Sequence, residues 1–409
     1  VAIHEEQARH AGTIACGIRR GRWLGELTCL PAKVRCPIEA FDSVALGWDT
    51  ARMEYARGVV SNAELAETLF QLAESHPPGD LRLALLRAAY AVFDHPRELD
   101  GTRRMPGTIP LEVLPTVTML RGCRGADALA AAAQRLCGPQ RVRGNPAREG
   151  FLTAAEACRV VAAAPGLDPR QLRGAVHWHT RASDGAVSME AMSRACMRRG
   201  ASWAVVTDHT RGLACVNGLD DEGIELQRRA VASWNRRRGD ELWMVQGLEV
   251  EILEDGRLDV PRAARSGLLL VAAVHTGLAE RRDQTGRLVR AIEEPGVWAL
   301  AHPRGRLFAR RAGIRANWEV VFTAAAEFGV LLEINGFPRR QDLDPALLAL
   351  AREAGCRFLL ASDAHHPRHL AFEATAVALA SRAGVPRGAI VNFEPLDHLA
   401  AQRPDLATP

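Results

Sequence analysis

Eight of the chain's thirteen histidines lie between His177 and His369, and most of them sit where an apolar run stops. Ala175-Val176 leads into His177-Trp178-His179, and Val205-Val206-Thr207 into Asp208-His209. Val271–Val274 leads into His275, Trp298–Ala301 into His302, and Leu359–Ser362 into Asp363-Ala364-His365. Gly247-Leu248-Glu249 adds a carboxylate after Met244-Val245. Imidazole and carboxylate together ligate borderline divalent metals such as zinc, manganese or iron. In an extended strand, residues i and i+2 share a side. The spacing therefore predicts His177 and His179 facing one centre with Trp178 turned away, and Asp363 and His365 repeating the arrangement. A lone His275 or His302 would more often be a hydrogen-bonded core residue; the repetition is what points to a shared metal rim. His366 and His369 read as bystanders, His4, His10, His76, His95 and His398 lack ligand-like surroundings, and Asp184 in Ser183-Asp184-Gly185 reads equally well as a turn residue.

The elements that must carry these residues alternate. Strand patterns fall at 173–178, 203–207, 243–250, 268–275, 297–302, 330–335 and 357–362. Amphipathic helices lie between them, with Ser188 before Met189–Arg199, Gly200 at its stop, Asp344-Pro345 as N-cap and N1, and Gly355 at the end. Seven βα units with chemistry at the strand ends predict a closed parallel α/β barrel. Upstream, Ser61-Asn62-Ala63-Glu64 is a capping box followed by Leu65, Leu69 and Leu72 at helical spacing. Leu81–Phe93 and Ala126–Cys137 predict two more helices, 139–146 a linker, and Thr153–Ala164 a further helix. The expected division is an unassigned segment 1–55, a small all-helical domain 56–140, a linker and helix 141–170, and the barrel 171–409.

Bulk composition sets the class. A chain of 409 residues with 47% hydrophobic and 24% charged content is of ordinary globular type, and a net charge of +4 announces no nucleic-acid field. Lys33 is the only lysine, so nearly all positive charge is arginine, whose fork suits phosphate. Nine cysteines without a Cys-x-x-Cys pair suggest reduced thiols. With no signal-peptide pattern and no apolar run near the roughly 18–20 residues a membrane helix needs, the expected location is cytoplasmic, without membrane association.

Taken together, His177-x-His179, Ser183-Asp184-Gly185, Thr207-Asp208-His209, Gly247-x-Glu249, Val274-His275, His302-Pro303 and Asp363-Ala364-His365 resemble the PHP (polymerase and histidinol phosphatase) domain family over about 171–405. Gly247–Ile252, Asp255–Asp259, His302–Arg306 and Glu333-Ile334-Asn335 are most similar to the PHP domain of bacterial family X DNA polymerases. The resemblance implies a distorted, TIM-like (β/α)7 barrel holding three divalent ions, manganese or zinc, with iron(II) a further option. It implies His177, His179 and Asp363 on the first, His275 and His302 on the second, Glu249 bridging these two, and Asp184, His209 and His365 on the third. Metal-activated hydroxide would then attack phosphorus. Asp208 is expected to orient a ligand imidazole or take a proton, and Arg306, with Arg304, to reach phosphate from the rim.

The expected function is that of a phosphoesterase acting on DNA ends, as a 3′–5′ exonuclease or 3′-end phosphatase. A small-molecule phosphomonoesterase of the histidinol phosphatase type is the alternative. A catalytically silent, DNA-associated module with structural metals is the alternative from another class. A carboxylated-lysine amidohydrolase is excluded, because no lysine follows Lys33. Ser61–Asp100 loosely resembles the DNA-binding domain of family X polymerases. No helix-hairpin-helix pattern is legible in 106–125, and no polymerase palm lies before the barrel, so polymerase activity is not expected.

Overall fold

The computed structural model describes residues 61–75, 77–98, 145–164, 166–213 and 216–402. The helix expected over 126–137, nearly all of the 139–146 linker and the segment 1–55 lie outside the described residues.

Two helices open the described chain. In α1 (Asn62–Glu74), Glu64 N–H donates to Ser61 Oγ at 3.2 Å while Ser61 N–H donates to Glu64 Oε2 at 2.9 Å, the reciprocal bonds of a capping box. Its buried stripe, Leu65, Leu69, Phe70 and Leu72, packs on Leu85, Ala88, Ala89 and Val92 of α2 (Asp80–Phe93). This core is completed from far along the chain: Phe308 inserts its ring 4.6 Å from that of Phe93 and 5.3 Å from that of Phe70. The helix α3 (Ala154–Ala163), capped by Thr153, buries Ala157 and Val161 in the main core.

The remainder is a closed parallel barrel of seven strands in sequence order. The strands are β1 (Gly174–Trp178), β2 (Trp203–His209), β3 (Trp243–Glu251), β4 (Leu269–Ala273), β5 (Val297–Leu300), β6 (Leu331–Asn335) and β7 (Phe358–Ala364). They are short and apolar because both faces are covered. Val205, Val245, Val271, Ala299 and Leu359 fill the interior, while Leu248, Leu270, Leu300, Leu332 and Leu360 pack outward against helices. The helices around the barrel are α4 (Met189–Arg198), α5 (Asp221–Arg238), α6 (Thr285–Ile292), α7 (Trp318–Phe328), α8 (Pro345–Glu353) and α9 (Glu373–Arg382), while α10 (Leu396–Gln402) packs Leu399 against the interior cluster. Each expected strand is present, and the expected caps hold: Ser188 accepts from Ala191 N–H, and Asp344 caps α8 with Pro345 at N1. No helix among the described residues is long and apolar enough to cross a membrane.

The barrel closes between β1 and β7, where the register shifts between Val176 and Trp178. Asn392 closes it from below. Its buried amide accepts from Leu360 N–H at 2.6 Å and donates to the carbonyls of Leu360 and Gly174 at 2.9 and 3.0 Å. Asn392→Ala strands these backbone groups in a dry core and is expected to cost about 3 kcal/mol, read as a lower urea midpoint at unchanged slope.

Candidate metal centre

The barrel delivers the histidines to its C-terminal mouth, but simple alternation does not aim them. Val176 faces the interior, whereas Ala175 and Trp178 both pack in the outer cluster beside α4. Strict period two would place His177 with Ala175 and turn it outward. A left-handed backbone at His177 (φ 56°) resets the alternation, so that His177 and His179 both point in. The expectation of a regular i, i+2 pair is thus corrected in its cause. His302 (φ 29°) and Asp363 (φ 50°) are left-handed as well. Non-glycine residues held there are strained, and here the strain aims side chains.

Glu249, fully buried on β3, is the hub. Its Oε1 lies 3.1 Å from His302 Nε2 and 3.3 Å from His275 Nε2. Its Oε2 lies 3.1 Å from His209 Nδ1, 3.3 Å from His177 Nε2 and 3.4 Å from His179 Nε2. Asp363 Oδ1 stands 3.0 Å from His179 Nε2 and 3.5 Å from His177 Nε2. Asp184 Oδ2 stands 3.0 Å from His365 Nε2 and 3.6 Å from His209 Nε2. Asp184 is therefore drawn into the cluster and is not merely a turn residue.

Three sets of donor atoms lie within 4.8 Å of one another among the described residues: His177, His179, Glu249 and Asp363; His209, Glu249 and His275; and His179, Asp184, His209 and His365. The site brings together every residue expected as a ligand, with His179 and His209 each standing between two sets and His302 on the far oxygen of Glu249. His177 Nε2, His179 Nδ1 and Glu249 Oε2 are buried without a hydrogen-bond partner. Orphaned donors and acceptors at such a density are costly unless something occupies the space between them. The donor set fits divalent cations.

Carboxylates behind the cluster fix the ring orientations. With the proton on Nδ1, His177 donates to Glu333 at 2.6 Å and His275 to Glu251 at 2.7 Å, while His365 donates to the Asp363 carbonyl at 2.8 Å. Each leaves Nε2 as the free donor pair facing the cluster. Glu251 is itself held by Thr276 Oγ1 at 2.9 Å and flanked by Arg287 at 3.5 Å. Glu251 and Glu333 had no role assigned from sequence. The legible signal was a second carboxylate two residues beyond Glu249, and one in the middle of the short strand Leu331–Asn335. His369, read as a bystander, accepts the His365 backbone N–H at Nδ1.

The electrostatics follow from crowding. Burial opposes charge on His275 and His365, but Glu249 and Glu251 for the first, and Asp363 and Asp184 for the second, hold each up at about 9. Burial drives His209 down to about 3. Against its own burial, Asp184 is held down at about 2 by the His365 hydrogen bond and neighbouring imidazoles. Glu249 stays well below the usual carboxylate range because His209, His177 and His275 outweigh its burial.

Asp208 and Arg306 do not do what the sequence suggested. Asp208 touches no imidazole. Its oxygens accept from Thr180 N–H at 2.7 Å, Thr180 Oγ1 at 2.9 Å, Ser183 Oγ at 2.7 Å and Gln227 Nε2 at 3.1 Å, so it fastens the loop that presents Asp184. Arg306 is only 3% exposed, lies 3.7 Å over the Phe151 ring and donates to the Glu149 carbonyl at 2.8 Å. It braces the barrel against the preceding segment and does not line the rim. Arg304 is paired with Asp344. The cation that does reach the cluster is Arg340, with Nη2 3.2 Å from Asp363 Oδ2 and a side chain 22% exposed. Sequence proximity to His302 favoured the wrong arginines, since it says nothing about side-chain direction.

No family model matches the chain. It is 30% identical over 233 residues to the DNA polymerase/3′-5′ exonuclease PolX of Bacillus subtilis, covering 56% of this chain and 41% of that protein. It is 30% identical over 134 residues to a probable phosphatase of Caldanaerobacter subterraneus, covering 30% of this chain and 50% of the other. The chain thus spans about half the length, or less, of these curated relatives. Among solved structures, a histidinol phosphate phosphatase from Lactococcus lactis complexed with zinc, L-histidinol and phosphate aligns with a TM-score of 0.39 at 12% identity, covering 51% of this chain and 93% of that one.

Two outcomes are expected. Glu251→Gln removes the carboxylate behind His275 and should weaken divalent-metal affinity by about 10–100-fold by competition with a chelating dye. A cation entering this cluster must also displace protons from His275 and His365, held near 9. Metal affinity should therefore fall steadily as pH drops below about 9, with proton release visible when calorimetry is repeated in buffers of different ionisation enthalpy.

Proposed function

The chain belongs to the PHP (polymerase and histidinol phosphatase) family, and from that premise we propose that it is a metal-dependent phosphoesterase acting on DNA ends, as a 3′–5′ exonuclease or 3′-end phosphatase without polymerase activity. The observation that carries the reading is the Glu249-centred cluster, whose buried donors lack partners at an open barrel mouth beside Arg340. Three divalent ions, manganese or zinc, held by His177, His179, Asp184, His209, Glu249, His275, His302, Asp363 and His365 would supply Lewis acidity to a phosphoryl group and lower the pKa of an attacking water. Glu249 sets the spacing within the cluster. Asp184, Glu249 and Asp363, with Glu251 and Glu333 behind them, offset most of the charge those ions bring. Arg340, already beside Asp363, can fork onto a phosphate oxygen at the mouth. Asp208 keeps Asp184 in place through Thr180 and Ser183.

Charge around the mouth supports a polyanion approaching from one side. The loops after β5 and β6 carry Arg304, Arg339 and Arg340, with Arg310 and Arg315 exposed. The helices α1 and α2 lie on this same side, packed around Phe308 of the β5 loop. The opposite flank argues for the second reading. A cleft of about 370 Å³ beginning at Thr210, one residue past His209, is lined by Asp220, Asp221, Glu222 and Asp259. Arg211 also lines this cleft, paired with Asp220 at 2.9 Å, but the carboxylates outnumber it, which disfavours a nucleic-acid strand and suits a small phosphomonoester with a cationic leaving group.

The test is hydrolysis of a 5′-labelled single-stranded oligonucleotide, with and without a 3′-phosphate, alongside histidinol phosphate by the manganese-loaded protein, with His177→Ala as control. Stepwise shortening abolished in the variant is expected. Phosphate release from the small ester alone would replace the first reading with the second, and no turnover of either would leave a structural metal module. Arg340→Ala should raise KM for whichever substrate is used by about tenfold, with metal content unchanged.

A further inference from the structure

Neighbouring arginines on one turn point in opposite directions, and between them they join the helical pair to the metal cluster. The turn 337–342 follows β6. Asn335 Oδ1 holds it at Phe337 N–H (2.9 Å), and Arg340 N–H and Gln341 N–H close on the Phe337 carbonyl at 2.8 and 3.0 Å. Gln341 is left-handed (φ 42°), and its amide bridges both backbone groups of Leu152 at 2.7 Å. From this turn Arg340 reaches inward to Asp363. Arg339 reaches the other way: its guanidinium lies 3.6 Å over the Tyr90 ring of α2, and Nη2 stands 3.4 Å from Asp94 Oδ2. The Arg339 carbonyl accepts Phe308 N–H at 2.8 Å, and the Phe308 ring fills the core between α1 and α2.

A second clamp ties the same bodies together. Arg148, almost fully buried, donates to Glu67 at 2.7 Å and to Glu74 at 2.5 Å on α1. The Ala147 carbonyl accepts from Ala309 N–H at 3.1 Å, next to Phe308. The helical pair is therefore bolted to the two loops that frame the arginine side of the mouth.

We infer that Arg339 is a positioning residue: α1 and α2, through Tyr90 and Asp94, hold the 337–342 turn where Arg340 can meet a phosphate at the metal cluster. This rests on the phosphoesterase reading given above. A planar guanidinium stacked on one side and paired on the other is a rigid anchor, which an ammonium on the same stem is not. Misplacement of a binding group by an ångström is enough to lower its contribution.

The experiment uses the manganese-loaded 409-residue chain and measures inorganic phosphate binding by calorimetry, with KM and kcat for p-nitrophenyl phosphate, melting temperature and metal content in parallel. Arg339→Ala is expected to weaken phosphate binding and raise KM by roughly fivefold, with kcat and metal content little changed. Arg339→Lys keeps a charge beside Asp94, guards against unfolding, and should show a smaller loss of the same kind. In an Arg340→Ala background, Arg339→Ala should bring no further loss, because the two act as one unit. Unchanged phosphate affinity in a less stable Arg339→Ala protein would reduce Arg339 to structural glue, and so would a full additional loss in the Arg340→Ala background. Wild-type protein that turns over ester while Arg339→Ala is unaffected overturns this inference alone. Wild-type protein that neither binds phosphate nor cleaves any ester overturns the phosphoesterase reading, and this inference with it.

Discussion

One buried carboxylate organises this molecule. Glu249 lies near the C-terminal end of β3 with His302 and His275 against one oxygen and His209, His177 and His179 around the other. Burying an ionised carboxylate is expensive unless opposite charge surrounds it, and packing five imidazoles together is expensive unless something keeps them in step. Each cost is met by the other. Glu251 and Glu333 hold two of the rings from behind, and the left-handed backbone at His177 aims a side chain that a straight strand would point outward. The barrel exists to bring these strand ends to one rim, and Asn392 keeps its last seam shut.

The mouth is electrically lopsided, which bears on what can enter it. Arginines crowd the loops after β5 and β6, while aspartates and a glutamate line the cleft beside β2 and β3. Most of the arginines near His302 are already engaged: Arg306 stacks on Phe151 and Arg304 pairs with Asp344. They build the frame, and Arg340 alone of this group was found against a cluster carboxylate. The helical pair leans on that same frame through Phe308 and Arg339. Helices that look from sequence like a separate arm thus share a core residue with the barrel, which makes them part of the scaffold on the side where a polyanion would approach.

Much was legible in the chain before folding. Residue type and local period are properties of short segments, so the seven strands, the capping box at Ser61, the Asp344-Pro345 start and the ligand-competent residues at strand ends could all be read from sequence. So could the histidines at the strand ends, because their repetition is itself a local pattern, whereas Asp184 entered the expected set only through the family resemblance.

What only the tertiary structure decided was direction and partnership. Alternation would have turned His177 outward; a left-handed residue stabilised by the surrounding cluster reverses that, and no local preference of histidine announces it. Arg306 and Arg340 are alike as residue types, yet one is buried against Phe151 and Glu149, from a segment more than 150 residues earlier in the chain, and the other faces Asp363 on the next strand. Asp208, next to His209 in the chain, fastens a loop rather than a ring because Thr180, Ser183 and Gln227 all converge on it. Sequence proximity fixes only backbone distance, and the side-chain geometry on which chemistry depends is set by contacts between segments that the chain brings together last.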